Sequence, residues 1–285
     1  MEILIIILVR EMLEIKPFVK IAWNSDAIRK QWSDVFQSIR RLTIDSEYEM
    51  VKLKLREANV YHMTPQNFDK EIEKITRDGL VFLPMVRSKA YDGFSHRQYP
   101  VKELDFNCFV YGVVAQDLET AQEFVESSKN GDHLTIGQLL GYPKCCCEAF
   151  QENWVNKKIL DTCYEAAINT TGNTIDEMGV HVKAHPYINP MLRYFGAKIT
   201  PFFPCSYSCN EAIKVGETWF NLMKSLNDEA SGTIIELLEQ PISWSLNKGI
   251  IYIKTPLFKG IVNGYDCETR KDVLSNEQAE KNKVD

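Results

Sequence analysis

The sequence predicts a mixed α/β fold of the α+β class, with a helix-rich centre that carries the cysteine motifs and flanking strands that form a small sheet. Apolar residues at helical spacing fill the middle of the 285-residue chain, and short β-branched and aromatic runs lie on both sides. Helices and strands do not alternate regularly, and no glycine-rich phosphate loop occurs, so a dinucleotide-binding sheet is not expected.

The N-terminal part is expected to combine helices with one strand. Charged and apolar residues alternate at helical spacing over residues 30–60, and Gln66–Arg77 has the pattern of a shorter helix. Gly79–Pro84 is expected to form a strand that the proline ends, and residues 87–100 are expected to form a surface loop.

The central elements start with the clearest strand, Asn107–Ala115, which is a near-continuous apolar run. Asp117–Ser128 has a helical stripe that Asn130-Gly131 ends, and a short helix is expected over Leu134–Leu140. A polar loop is expected over residues 169–178.

Three proline-led helices are expected next. Asn189–Gly196 has asparagine as cap, proline at the first position and glycine as terminator. Pro143 and Pro204 are each expected to start a longer amphipathic helix, the first ending near Lys157 and the second near Leu226.

The C-terminal part is expected to contain three strands, Ile242–Trp244, Ile250–Lys254 and Leu257–Val262. The sequence thereby suggests three regions, which are an N-terminal helical and strand region (1–100), a cysteine-motif α/β core (101–269) and a charged tail expected to be disordered (270–285).

Charge and the N-terminal residues bear on compartment and partners. The net charge of −6 and pI near 5.5 provide no overall field for nucleic acid or an anionic membrane. The apolar run Ile3–Val9 is too short to span a bilayer and lacks the features of a signal peptide, so it is expected to be a buried strand or helix start. An alternative is that the natural chain starts at Met12. A cytoplasmic, reducing location is therefore expected, where clustered thiols more often bind metal or react than form disulfides.

Five of the eight cysteines lie in two short segments, Gly141–Cys147 and Phe203–Cys209. In each segment the first cysteine lies within two residues of a proline, which is favoured at the first position of a helix. The first turn of a helix exposes backbone N–H groups and the positive end of the helix dipole, which lower the pKa of a thiol. Both segments therefore favour thiolates, the form that binds metal or attacks an electrophile.

Four of these cysteines are predicted to bind one metal centre: Cys145, Cys146, Cys205 and Cys209. Cys205 and Cys209 are four residues apart and would share a face of a helix. Thiolates select zinc or an iron–sulfur cluster, and the absence of C-x-x-C knuckle spacing favours the cluster over zinc. Packing of buried cysteines is the plain alternative.

The other cysteines are predicted to have packing roles. Cys147 would share the core-facing side of its helix with Phe150 and Trp154, and Cys108, Cys163 and Cys267 are isolated.

His185 and Arg193 lie upstream of the second cysteine segment and are the candidate catalytic residues. The histidine could transfer a proton or bind metal, and the arginine could hold a carboxylate or phosphate. Structural roles for both remain the alternative.

Three stretches carry a resemblance: Leu139–Cys146, His185–Gly196 and Phe203–Cys209. At these residues the chain resembles the mainly archaeal proteins catalogued as domain of unknown function 483, over about Val101 to Ile261. The resemblance implies no activity, but it implies that the four predicted ligands, His185 and Arg193 form one set. The third consecutive cysteine departs from the family's paired pattern.

Three functions remain open at this point. The first is a cytosolic protein with an iron–sulfur or zinc centre, which as an enzyme would act on a small anionic substrate or a modified nucleotide. The second is a non-catalytic, zinc-stabilised interaction module, and the third is a metal-free thiol enzyme. The reaction type and the oligomeric state do not follow from the residues.

Overall fold

A computed structural model describes residues 19–89, 108–157, 162–177, 179–245, 250–253 and 255–263. These ranges contain eight α-helices and nine strands, which confirms the mixed α+β class. The Ile3–Val9 run, Cys267 and the charged tail lie outside the described residues, as does most of the loop expected over 87–100.

The helices and strands follow one another irregularly along the chain. The helices are α1 (Asp26–Lys52), α2 (Phe68–Arg77), α3 (Leu118–Asn130), α4 (His133–Leu139), α5 (Lys144–Phe150), α6 (Thr162–Ile168), α7 (Asn210–Leu226) and α8 (Asp228–Leu238). The strands are β1 (Val19–Trp23), β2 (Ala58–Met63), β3 (Val81–Lys89), β4 (Cys108–Ala115), β5 (Thr174–Asp176), β6 (Gly179–Val182), β7 (Ile242–Ser245), β8 (Ile250–Ile253) and β9 (Phe258–Asn263).

Two antiparallel sheets organise the described strands. One has six strands in the order β1-β9-β8-β7-β6-β5, and the other has three in the order β2-β4-β3. The pair β1–β9 joins the two ends of the described chain, with Ile21 opposite Ile261. Both sheets contain strands from either side of position 100, where the sequence suggested a division.

The main core lies where α1, α7 and α8 pack together and against the six-stranded sheet. Ile39 on α1, Met223 on α7 and Ile234 on α8 are fully buried there. Burial of each side chain of this size favours folding by about 1.5–3 kcal/mol. The N-terminal helix is therefore part of the core that supports the cysteine segments.

The helix expected over residues 30–60 is placed differently. It begins at Asp26, where the Ser25 hydroxyl accepts a hydrogen bond from the Ile28 N–H, and it ends at Lys52. Lys54 then adopts a positive φ of 59°, which a helix does not allow, and the β-prone residues that follow form β2.

The sequence predicted that Pro84 ends its strand, and this prediction is wrong. β3 continues to Lys89, and its register with β4 shifts between Pro84 and Val86. Because β3 is an edge strand of the sheet that the described residues form, and its register is irregular at this point, the missing N–H of proline breaks no ladder of hydrogen bonds.

The prediction of a small helix over Asn189–Gly196 is also wrong. Only a 3₁₀ turn forms, at Arg193–Phe195, and Gly196 closes it with a φ of 80°. The buried Asn189 side chain accepts from the Met191 N–H and donates to the Leu238 carbonyl at 2.8 Å, so it connects this segment to α8 instead of capping a helix. The polar loop expected over 169–178 likewise contains the short strand β5.

Candidate metal centre

The first cysteine segment forms the turn between α4 and α5. Gly141 takes a φ of 72°, and the carbonyl of Pro143 accepts hydrogen bonds from the N–H groups of Cys146 and Cys147. α5 begins at Lys144, so Cys145 and Cys146 lie in its first turn, as predicted. The chain then continues as a π-helix over Gln151–Asn156.

The second segment departs from the prediction, because α7 begins at Asn210 and not at Pro204. Cys209 is the residue before that helix, and Cys205 lies in the preceding loop. The two cysteines therefore do not share a helical face.

A buried tyrosine between these two cysteines holds the loop in place. The Tyr207 hydroxyl donates to the Cys163 carbonyl at 3.1 Å, and its N–H donates to the Thr170 hydroxyl at 2.8 Å. Its carbonyl accepts from the His185 N–H. These bonds fix an irregular backbone, which turns both neighbouring cysteines toward α5.

The two cysteine segments meet in space, as the sequence predicted. The Sγ atoms of Cys145, Cys146, Cys205 and Cys209 all lie within 4.8 Å of one another, and those of Cys145 and Cys209 are 3.6 Å apart. Cys146 is buried and the other three are partly exposed. Four soft donors at this spacing fit the coordination of a metal ion.

The thiols influence one another strongly. The Cys146 thiol donates a hydrogen bond to Cys205 and is buried, so its pKa is raised. Burial and the contact with Cys209 raise the pKa of Cys145 to about 12. Hydrogen bonds from its neighbours, Cys146 foremost, lower the pKa of Cys205 to about 5. The sequence expected the helix dipole to lower the pKa in α5, but burial and the adjacent sulfurs outweigh that effect.

The remaining described cysteines lie apart from this group. Cys147 is buried against α4, where a Cβ atom on Gly137 would meet its sulfur, and burial raises its pKa. Cys163 and Cys108 are buried in α6 and β4. All seven described cysteines are free thiols.

His185 and Arg193 occupy different surroundings. His185 lines a groove of about 870 Å³ beside the four clustered cysteines, and the residues that line this groove do not include Arg193. Arg193 is 8% exposed, donates to the Pro190 carbonyl at 3.2 Å and lies over the Phe203 ring. Catalytic roles for His185 and Arg193 stay predictions.

The groove itself was not foreseen. Its other prominent residues are Tyr187, Phe220 and Glu239, which come from a 3₁₀ turn, α7 and the end of α8. The only sequence signal was the segment His185-Pro186-Tyr187, because the helices that complete the groove are distant in sequence.

None of the described helices combines the length and apolar character needed to cross a membrane.

Comparison with known proteins adds a family match and no activity. No curated protein and no solved structure shows a significant match to the chain. Residues 121–230, which contain all four clustered cysteines as well as His185 and Arg193, match the family described as "Protein of unknown function (DUF483)", and this match confirms the resemblance expected from the sequence.

Proposed function

We propose that Cys145, Cys146, Cys205 and Cys209 bind one tetrahedral metal ion of the zinc type. The observation that supports this is the spacing of the four sulfurs within 4.8 Å. Zinc–sulfur bonds of about 2.3 Å place the thiolates of a tetrahedral site about 3.8 Å apart. In an iron–sulfur cluster the thiolates bind different iron atoms and lie farther apart. A single ion therefore suits this spacing better than the iron–sulfur cluster that the sequence favoured.

The ion would act as a structural link. Four thiolates complete a tetrahedral shell and leave no position for water or substrate, which is the pattern of structural zinc. The ligands come from the first turn of α5 and from the loop before α7, so the ion would hold these two segments together. Because the ligands converge only in the folded chain, binding would stabilise the fold.

The same link would shape the adjacent groove. Tyr187 and Ile213 line the groove and also pack in the cluster that contains the four cysteines. The function we propose is therefore ligand binding in a groove whose wall a zinc-type centre supports. A cytoplasmic location fits free thiolates and is part of this proposal.

Adjacent cysteines give the matched test. Cys146→Ser should abolish stoichiometric metal, whereas Cys147→Ser should keep it, because only the first sulfur belongs to the group of four. Metal per chain is measured after dialysis against a chelator. Cobalt(II) added to the metal-free protein should give the intense absorption of tetrahedral thiolate ligation in the Cys147 variant only. Equal metal retention by both variants would refute the ligand set.

A second candidate is thiol chemistry at Cys205. Its pKa of about 5 keeps it a thiolate at neutral pH without any metal, and it is partly exposed. Protein that contains no metal after anaerobic purification, and in which iodoacetamide modifies Cys205 first at pH 6, would favour this candidate over the metal centre.

A further inference from the structure

The groove beside the metal centre has the size of a small-molecule site. Its volume of about 870 Å³ lies within the range of about 300–1,000 Å³ that such sites occupy. It lies between the 3₁₀ turn at Pro186–Ile188, α7 and the C-terminal end of α8. Both aromatic and charged side chains face it.

One wall of the groove is aromatic. The ring of Tyr187 stacks on that of Phe220, with centroids 5.2 Å apart and an interplanar angle of 24°. The His185 ring meets Tyr187 edge to face at 4.8 Å. Such a wall suits a planar ring or a cation, because aromatic faces attract both.

This wall is held rigidly. The Tyr187 N–H donates to Nδ1 of His185 at 3.3 Å, and its carbonyl accepts from the Thr200 hydroxyl at 3.1 Å. Gly216 on α7 leaves room for the tyrosine, since a Cβ atom there would lie 2.6 Å from the Cβ of Tyr187. A wall fixed in this way loses little conformational entropy when a ligand binds.

The charge around the groove is negative only when the proposed zinc–thiolate centre is included, because the carboxylate of Glu239 and the ammonium of Lys183 cancel among the lining residues. Glu239 caps the C-terminal end of α8, where the helix dipole is also negative. Burial lowers the pKa of His185 and so favours its neutral form near pH 7. Lys183 is the one cation among the lining residues. A zinc ion with four thiolates carries two net negative charges beside the groove. The preference of the groove for a cation therefore rests on the proposed function.

We infer that the groove binds a small aromatic amine, which places its ring against Tyr187 and Phe220 and its ammonium near Glu239. This assignment departs from the anionic substrate that the sequence suggested through Arg193. It requires no chemical step, only recognition of a ring and a positive charge.

Two probes with the same ring and opposite charge test the inference. Tyramine should bind the full-length, metal-loaded protein, and 4-hydroxyphenylacetate should bind at least tenfold more weakly in isothermal titration calorimetry. Glu239→Gln should weaken tyramine binding about tenfold, the equivalent of about 1.4 kcal/mol. Glu236→Gln, an exposed carboxylate on the same helix outside the groove, is the control and should have no effect.

The inference is overturned if the acid binds as tightly as the amine, if neither binds, or if the two glutamate variants behave alike. Metal content measured in the same samples separates the two proposals. Stoichiometric zinc without tyramine binding refutes the groove ligand alone. Tyramine binding that depends on Glu239 in samples that retain no zinc after loading refutes the metal centre alone.

Discussion

At the scale of single residues, an ion pair ties α1 to the segment that follows Arg193. The Lys198 ammonium lies 2.8 Å from a carboxylate oxygen of Glu47, and the two side chains are 16% and 21% exposed. Burial alone would raise the pKa of Glu47, but attraction to Lys198 and to the buried Arg56 outweighs burial and lowers this pKa. The pair therefore stabilises the folded chain while Glu47 is ionised.

This pair makes stability depend on pH in a defined direction. Because the folded pKa lies below the unfolded value of about 4.3, the stabilisation is present above that pH and is lost as the pH falls through the folded pKa. Glu47→Gln should lower the free energy of unfolding at pH 7 by about 1–3 kcal/mol, and the difference from wild type should shrink below about pH 4. Urea unfolding at pH 7, 5 and 3 measures this.

The exposed pair Glu211–Lys214, also 2.8 Å apart, supplies the control for that experiment. Glu211→Gln should change stability little, because solvent screens an exposed pair. If Glu47→Gln and Glu211→Gln lowered the free energy of unfolding equally, the burial of Glu47 would have no effect on stability.

Sequence reasoning separated the adjacent residues Cys146 and Cys147 by helical periodicity. Once α5 begins at Lys144, successive side chains point about 100° apart, so three consecutive cysteines cannot all face one site, and Cys147 faces Gly137 on α4 instead. The environment of each thiol could not be predicted from the sequence in the same way. The raised pKa of Cys146 depends on Cys205, a residue distant in sequence.

At the scale of elements, α7 and α8 each contain one glycine, in contrasting surroundings. A Cβ atom on Gly216 would collide with Tyr187, whereas one on Gly232 would meet nothing within 4 Å. Both positions lie inside helices, where alanine is intrinsically preferred over glycine.

The two alanine substitutions should therefore have opposite effects. Gly232→Ala should stabilise the protein by about 0.5–1 kcal/mol, as expected for a helix interior. Gly216→Ala should destabilise it by about 1–3 kcal/mol, as overpacking does. It should also weaken tyramine binding by displacing Tyr187. Chemical unfolding and calorimetry measure the two effects, and stabilisation by Gly216→Ala would contradict the tight contact.

Helix ends that are set by neighbouring residues could be predicted from the sequence. Gly131 ends α3 as expected, since capping needs only neighbouring backbone groups, and the Asp117 side chain caps its start. The predicted helix start at Pro204 is wrong because hydrogen bonds of Tyr207 to distant residues keep this segment as a loop. A proline marks a permissible helix start, and distant partners decide whether it is used.

At the scale of the whole molecule, the long-range pairings lay beyond the sequence pattern. Nothing local shows that β1 pairs with β9, or that α1 packs between distant helices. The meeting of the two cysteine segments was nevertheless predicted, because four thiolates in two short segments indicate one shared centre. The groove was missed, since its wall forms only when α7 and α8 pack on the turn at Pro186–Ile188.

The metal content of the wild-type protein, purified without oxygen, tests the central claim most directly. Zinc, iron and acid-labile sulfide are measured in one sample, together with the melting temperature before and after chelation. We predict colourless protein with one zinc per chain, no labile sulfide and a lower melting temperature once the metal is removed. Iron with matching sulfide would replace the single ion by a cluster, and metal-free protein with an unchanged melting temperature would contradict the metal centre altogether.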